Sequence, residues 1–175
     1  MSSDTAHRLR CACGEVECLG WGAPIGTAAC YCDDCQAAAR AIEALPGAPP
    51  VADHDGGTAL TLFDKRNFTV VRGAERLVAH RLRETSRTRR MIAGCCNSAM
   101  FLAFDRGPYW VSTMRNRFTG PAPAIEFRHM TKYRTSALPW PDDAPRSAGF
   151  APRFILRTIV AGLARLLRRR PSHDA

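Results

Sequence analysis

A chain of 175 residues with 46% hydrophobic and 23% charged residues carries enough apolar surface for one packed core and too much for global disorder. Its formal charge of +9 is unevenly spread: seven arginines against one aspartate follow residue 145. The remainder is only mildly basic and lacks a basic–aromatic strip, which argues against nucleic-acid binding.

Met1–Arg10 contains no apolar run of the kind a secretory signal needs, so export is not expected. Eight cysteines then point to a reducing, cytoplasmic compartment, where thiols serve as metal ligands more readily than as disulfides. The first group, Cys11-Ala12-Cys13-Gly14, follows Leu9-Arg10 and reads as a strand edge, with Gly14 letting the backbone curl around an ion. Cys18 stands outside it, beside Leu19 and Trp21, as a buried thiol. The second group, Cys30-Tyr31-Cys32-Asp33-Asp34-Cys35-Gln36, runs into a helix-forming stretch that ends at Pro46-Gly47. Asp33 is the expected N-cap, which puts Cys35 in the first helical turn, where free N–H groups favour a thiolate.

Residues 46 to 57 are dense in proline and glycine and read as a loop; His54 sits there in Asp53-His54-Asp55-Gly56-Gly57, a turn sequence before it is a ligand. Short apolar runs at Thr58–Phe63, Phe68–Val71, Leu77–Leu82, Met91–Ala93, Ala99–Phe104 and Tyr109–Met114 predict strands, with His80 inside one of them. The fold class is therefore mainly β: small antiparallel sheets, one short helix after the C-x-C-x-x-C cluster, and a C-terminal amphipathic helix. A zinc-binding domain is expected over 1–137, a proline-rich linker over 138–152, and a basic amphipathic helix over 153–170, where Phe154, Ile155, Ile159, Leu163, Leu166 and Leu167 recur at helical spacing. Arg157 and Arg165 interrupt that helix well short of a membrane span. Its charge makes attachment to an anionic membrane surface one expectation, at the inner face of a cytoplasmic membrane, and docking on the core the other.

Two cysteine clusters and the distant pair Cys95-Cys96 are strong signals for zinc, which takes sulfur ligands from closely spaced turns. The order Cys11-x-Cys13-Gly14-x-Val16, Cys30-x-Cys32-x-x-Cys35, Gly73-x-Glu75-x-Leu77 and Cys96-Asn97-Ser98 resembles the glutathione-dependent formaldehyde-activating enzyme and centromere protein V (GFA-like) superfamily over roughly residues 9 to 115. The C-Y-C-D-D-C-Q and C-C-N motifs are similar to those of a bacterial branch of it. The resemblance implies small sheets stapled by zinc, with Cys11, Cys13 and Cys96 at a structural zinc and Cys30, Cys32 and Cys35 at a second, more open one. The position three before Cys96 is Ala93, and the extra cysteine is instead its neighbour Cys95. Adjacent side chains of extended chain face opposite ways. The fourth ligand of the first site then comes either from Cys95 in a tight turn or from the Cys30 cluster in one merged site.

A zinc on three thiolates keeps a position for a thiol or a carbonyl. The resemblance implies carbon–sulfur lyase or synthase chemistry on aldehyde–thiol adducts, with glutathione as the small-thiol partner. Arg40, Arg72, Arg81, Arg87, Arg89 and Arg90 are candidate contacts for its carboxylates. The alternative is a non-catalytic binding module whose zinc ions are all structural. No Ser-His-Asp order, phosphate loop or dinucleotide fingerprint is present.

Overall fold

The structure is a computed structural model in which residues 5–167 are described. The last three residues expected in the C-terminal helix, Arg168, Arg169 and Arg170, lie outside that range, as does His173. The described residues form ten β-strands in two sheets and two α-helices, so the protein is mainly β.

Strands β1 (Ala6–Arg10) and β2 (Glu17–Trp21) form a hairpin whose loop, residues 11–16, carries Cys11 and Cys13. The small sheet is completed by β5 (Phe68–Arg72), antiparallel to β2. In the large sheet β3 (Gly26–Cys30) pairs with β4 (Thr58–Asp64), and β9 (Trp110–Met114), β8 (Ser98–Phe104), β7 (Thr88–Ala93) and β6 (Leu77–His80) follow outward, all antiparallel. At the other edge the short β10 (Phe127–His129) lies parallel to β3, opposing His129 to Cys30. The six runs read as strands are all strands. Strands β3 and β10 had no such signal: β3 is a run of small residues and β10 is three residues long.

Strand β4 is buried on both faces, as a central strand must be. Successive side chains alternate, so Leu60 and Leu62 join the core under helix α1 (Asp33–Glu43), whereas Phe63 packs against His7 of the small sheet. Helix α1 buries Ala38, Ala39 and Ile42 on one stripe. A second core, with Leu9, Val16, Cys18, Met100 and Phe101, lies between the sheets. The helix starts one residue earlier than the expected Asp33 N-cap. Cys32 is the N-cap, extended at φ −62° and ψ 155°, and its carbonyl accepts the N–H of Cys35 and of Gln36, both at 3.0 Å. Asp33 and Asp34 thereby fall in the first turn, where the helix dipole favours acidic side chains.

Within residues 138–152, Pro145 to Ser147 run along the open edge of β10. Arg128 N–H donates to the Pro145 carbonyl at 2.9 Å and Ser147 N–H to the Arg128 carbonyl at 2.9 Å. Helix α2 (Pro152–Leu167) follows. It lies on the large sheet through Phe154, which meets the rings of Phe127 and His129, and through Tyr109, whose hydroxyl donates to the Thr158 carbonyl at 2.5 Å. Gly162 is the point of closest approach: a Cβ there would stand 3.0 Å from the Tyr109 ring.

Candidate metal centres

The structure brings the seven cysteines into two separate groups. Cys11, Cys13, Cys95 and Cys96 form one and Cys30, Cys32 and Cys35 the other, with the sulfurs of each group all within 4.8 Å of one another. Cys18 joins neither; it is buried between the sheets, and its thiol is pushed up to about 12, first by burial.

Two loops build the first group. In loop 11–16 Cys11 N–H donates to the Val16 carbonyl at 3.0 Å, while Val16 N–H points to the Cys11 sulfur at 3.2 Å. Gly14 takes φ +81°, a left-handed turn that residues with a Cβ resist, and so performs the curl expected of it. The second loop, residues 94–97, joins β7 to β8, whose register closes with Ala93 opposite Ser98. Cys96 N–H donates to the Ala93 carbonyl at 3.2 Å and Asn97 adopts φ +54°. This tight turn is not extended chain, so the alternation that would separate adjacent side chains does not apply. Sulfur separations are 3.5 Å for Cys11–Cys13, 3.3 Å for Cys13–Cys95, 3.9 Å for Cys11–Cys95 and 4.0 Å for Cys95–Cys96. A tetrahedron with bonds near 2.3 Å has edges of about 3.8 Å, so this donor set fits a thiophilic ion such as zinc.

Ser98, fully buried, ties the two loops together. Its oxygen accepts the Ala12 N–H at 3.0 Å and lies 3.1 Å from the Cys96 sulfur, to which its proton is then directed. Burial opposes the Cys96 thiolate, but the Ser98 hydroxyl and the N–H groups of Cys13 and Ser98 outweigh it, bringing the thiol down to about 6. Burial raises Cys11, and partial desolvation within the cluster, together with the Cys13 and Cys11 thiols, raises Cys95, although Cys95 is exposed. Four thiolates cannot share this space without a cation among them.

The second group sits where β3 runs into α1. Hydrogen bonds from Cys30 and Cys35 hold the Cys32 thiol down at about 2, and Cys30 and Cys35 are raised in exchange, Cys30 to about 12. The group lies at the N-terminus of a helix, where free N–H groups favour a thiolate. Among the described residues no fourth His, Cys, Asp or Glu donor lies within reach of all three. Beside Cys35 is a cavity of about 20 Å³, room for about one water, lined mainly by apolar residues and Arg90.

The frame behind this group was illegible in the sequence. Tyr31, fully buried between Cys30 and Cys32, donates its hydroxyl to Asp55 at 2.6 Å. Arg128 reaches the same carboxylate at 2.6 Å and holds Asp143 at 2.8 and 2.9 Å. Arg128 is 2% exposed and Asp55 1%, so this is a buried ion pair. Gln36 donates to the carbonyls of Tyr31 at 2.6 Å and Tyr133 at 2.7 Å, and accepts from Thr135 at 2.8 Å, so its amide is spent on bracing. Trp140 stacks edge-on to Tyr31 at 5.3 Å and carries Arg134 on its face at 4.1 Å.

The remaining candidates are dispersed. His54 is exposed in a turn closed by Gly56 N–H to the Asp53 carbonyl at 2.8 Å, and His80 ends β6 with its Nε2 buried and unpaired. Arg81 and Arg89 each hold Asp105 at 2.8 Å, and Arg72 reaches Glu17 at 3.5 Å and the Gly14 carbonyl. Arg90 is buried and donates to the Asp34 carbonyl at 3.1 Å, while Arg40 and Arg87 are exposed.

Fold and site together define a mainly β protein with cysteine groups placed to hold metal ions. No family model and no curated protein matches the chain. A Rhodobacter sphaeroides protein of known crystal structure aligns over 66% of this chain and 91% of its own, at 18% identity and a TM-score of 0.47.

Proposed function

We propose that this is a two-zinc protein: the four-cysteine site is structural, and the three-cysteine site binds a thiol-bearing small molecule. The single observation that carries the reading is the unequal donor count, four convergent sulfurs in one group and three in the other. A closed tetrahedron suits a structural ion, and three protein ligands with one exchangeable position suit a reactive one.

When bound at such a position, zinc activates a thiol or polarises a carbonyl. The chain supplies the rest. Cys32 caps α1, its carbonyl accepting the N–H groups of Cys35 and Gln36, which sets its sulfur beside those of Cys30 and Cys35. Tyr31 and Gln36 fix the loop that carries it, and Arg90 holds the carbonyl of Asp34 in the first turn of α1. The order of these motifs resembles that of the GFA-like superfamily, with Cys95 in place of a cysteine at position 93, and that resemblance supports carbon–sulfur bond making or breaking on an aldehyde–thiol adduct. Of the candidate carboxylate contacts, Arg72, Arg81, Arg89 and Arg90 are engaged within the protein, and Arg40 and Arg87 are exposed.

Metal analysis of the purified protein should give two zinc ions per chain; one supports a single site, and none sinks the proposal. Cobalt substitution should then give one spectrum indifferent to added thiol and one that responds. Formaldehyde with glutathione, or with a smaller thiol, should form adduct faster than without protein, and Cys32→Ala should abolish the gain. If zinc is bound and no thiol is turned over, the non-catalytic module is the correct reading. The bracing role of Gln36 is what favours that second reading.

A further inference from the structure

Helix α2 has two faces, and the one turned to the protein is not its apolar one. Phe154, Thr158, Gly162 and Arg165 face the sheet at i, i+4, i+8 and i+11. Arg165 reaches Asp64 at 3.0 Å, Arg66 donates to the Arg165 carbonyl at 3.2 Å, and Arg157 pairs with Glu126. At 100° per residue the opposite side is an aliphatic arc of Ile155, Leu156, Ile159, Val160, Leu163 and Leu166. All six are exposed, Leu156 at 61%, Leu163 at 59% and Leu166 at 76%. A helix docked simply to complete a core would be turned the other way round.

Polar contacts therefore fix the inner face while a continuous apolar strip is held outward, which is costly unless something covers it. Charge decides between occupants. From residue 152 to 170 the sequence has six arginines and no acidic residue. Arg157 and Arg165 are paired inward, but Arg153 and Arg168 to Arg170 have no acidic residue among them in the sequence, so two copies meeting along this strip would bring like charges together, whereas an anionic lipid surface suits both the aliphatic arc and the unbalanced charge. Among the described residues no helix is long and apolar enough to cross a membrane, so the helix would lie in the interface.

We propose that α2 is an interfacial anchor that lays its outer aliphatic face into an anionic bilayer surface, holding the cysteine-bearing sheets against it. Vesicles of phosphatidylglycerol and phosphatidylcholine, and vesicles of phosphatidylcholine alone, are sedimented with the full chain and with the Ile159→Glu/Leu163→Glu variant. Both altered residues are exposed, so the variant should keep its melting temperature and its metal content. The expected result is co-sedimentation with the anionic vesicles, weaker with neutral ones and at high salt, and a loss of at least about tenfold in the variant. Failure of the wild-type chain to sediment, equal sedimentation by the variant, or equal binding to neutral vesicles overturns the proposal. A dimer in sedimentation velocity that the variant converts to monomer also overturns it and gives the face to a second copy.

Discussion

Cys95 and Cys96 are neighbours in sequence whose sulfurs stand 4.0 Å apart on the same side of the β7–β8 turn, so both belong to one four-sulfur group. The turn makes this possible, because Cys96 N–H folds back to the Ala93 carbonyl and Asn97 takes a left-handed conformation.

Cys95→Ser should therefore lower zinc occupancy at the first site while leaving the Cys30–Cys35 site filled. Cys18→Ala should leave both filled and cost only packing, on the order of 1 kcal/mol. Metal content and thermal melts of the two variants separate ligand from core thiol; equal metal loss in both would refute the assignment.

Ser98→Ala removes a hydroxyl that serves two partners at once. The Ala12 N–H loses its acceptor and the Cys96 thiolate loses its donor. Zinc affinity measured against a competing chelator should fall about 10- to 100-fold, and the fold should lose about 1–3 kcal/mol. An unchanged affinity would show that the hydroxyl does not orient the ligand.

Arg128 and Asp55 are buried, so removing one leaves the other uncompensated. Arg128→Met should destabilise the protein by about 3–5 kcal/mol in denaturant unfolding. Burial raises Asp55, but Tyr31, Gly57 and Arg128 outweigh it and hold the carboxyl below its ordinary value; Arg128 also depresses Asp143. Such groups contribute stability above the unfolded carboxylate pKa near ~4, and it is lost as pH falls through their folded values. The acid limb of the stability curve should accordingly be shallower in Arg128→Met than in the wild type.

His129 titrates in a different window. Burial among Phe127, Phe150 and Phe154 lowers it from 6.5 to about 4, so the folded protein keeps it neutral where the unfolded chain takes up a proton. Stability from this source is full above pH ~6.5 and declines as pH falls toward ~4, by on the order of 3 kcal/mol. His129→Phe forfeits the 3.1 Å bond from Ala151 N–H and should be less stable at pH 7. Its stability should nevertheless vary less between pH 6.5 and 4 than that of the wild type, and parallel curves would count against this account.

The sequence made legible whatever local pattern encodes. Thr58–Phe63 and Ala99–Phe104 announced strands, and the two cysteine clusters announced themselves by spacing. Cys95 stayed ambiguous because its role depends on a turn rather than on strand alternation. The frame around Tyr31 was invisible for a different reason: Asp55, Arg128 and Asp143 lie far apart in the chain, and each alone looks like a surface charge. The amphipathic period of α2 was readable; which face would turn inward was not, because Tyr109, Asp64 and Glu126 decide it.

The parallel pairing of β10 with β3 bears on how the protein is made. Cys30, Cys32 and Cys35 leave the ribosome about a hundred residues ahead of Arg128, His129 and Asp143, which fix their surroundings. The nascent chain thus presents three closely spaced thiols before their scaffold exists, and ions or oxidants can reach them throughout that interval. The loops of the other group, by contrast, are both synthesised once residue 97 has been added, so that half of the protein can close first.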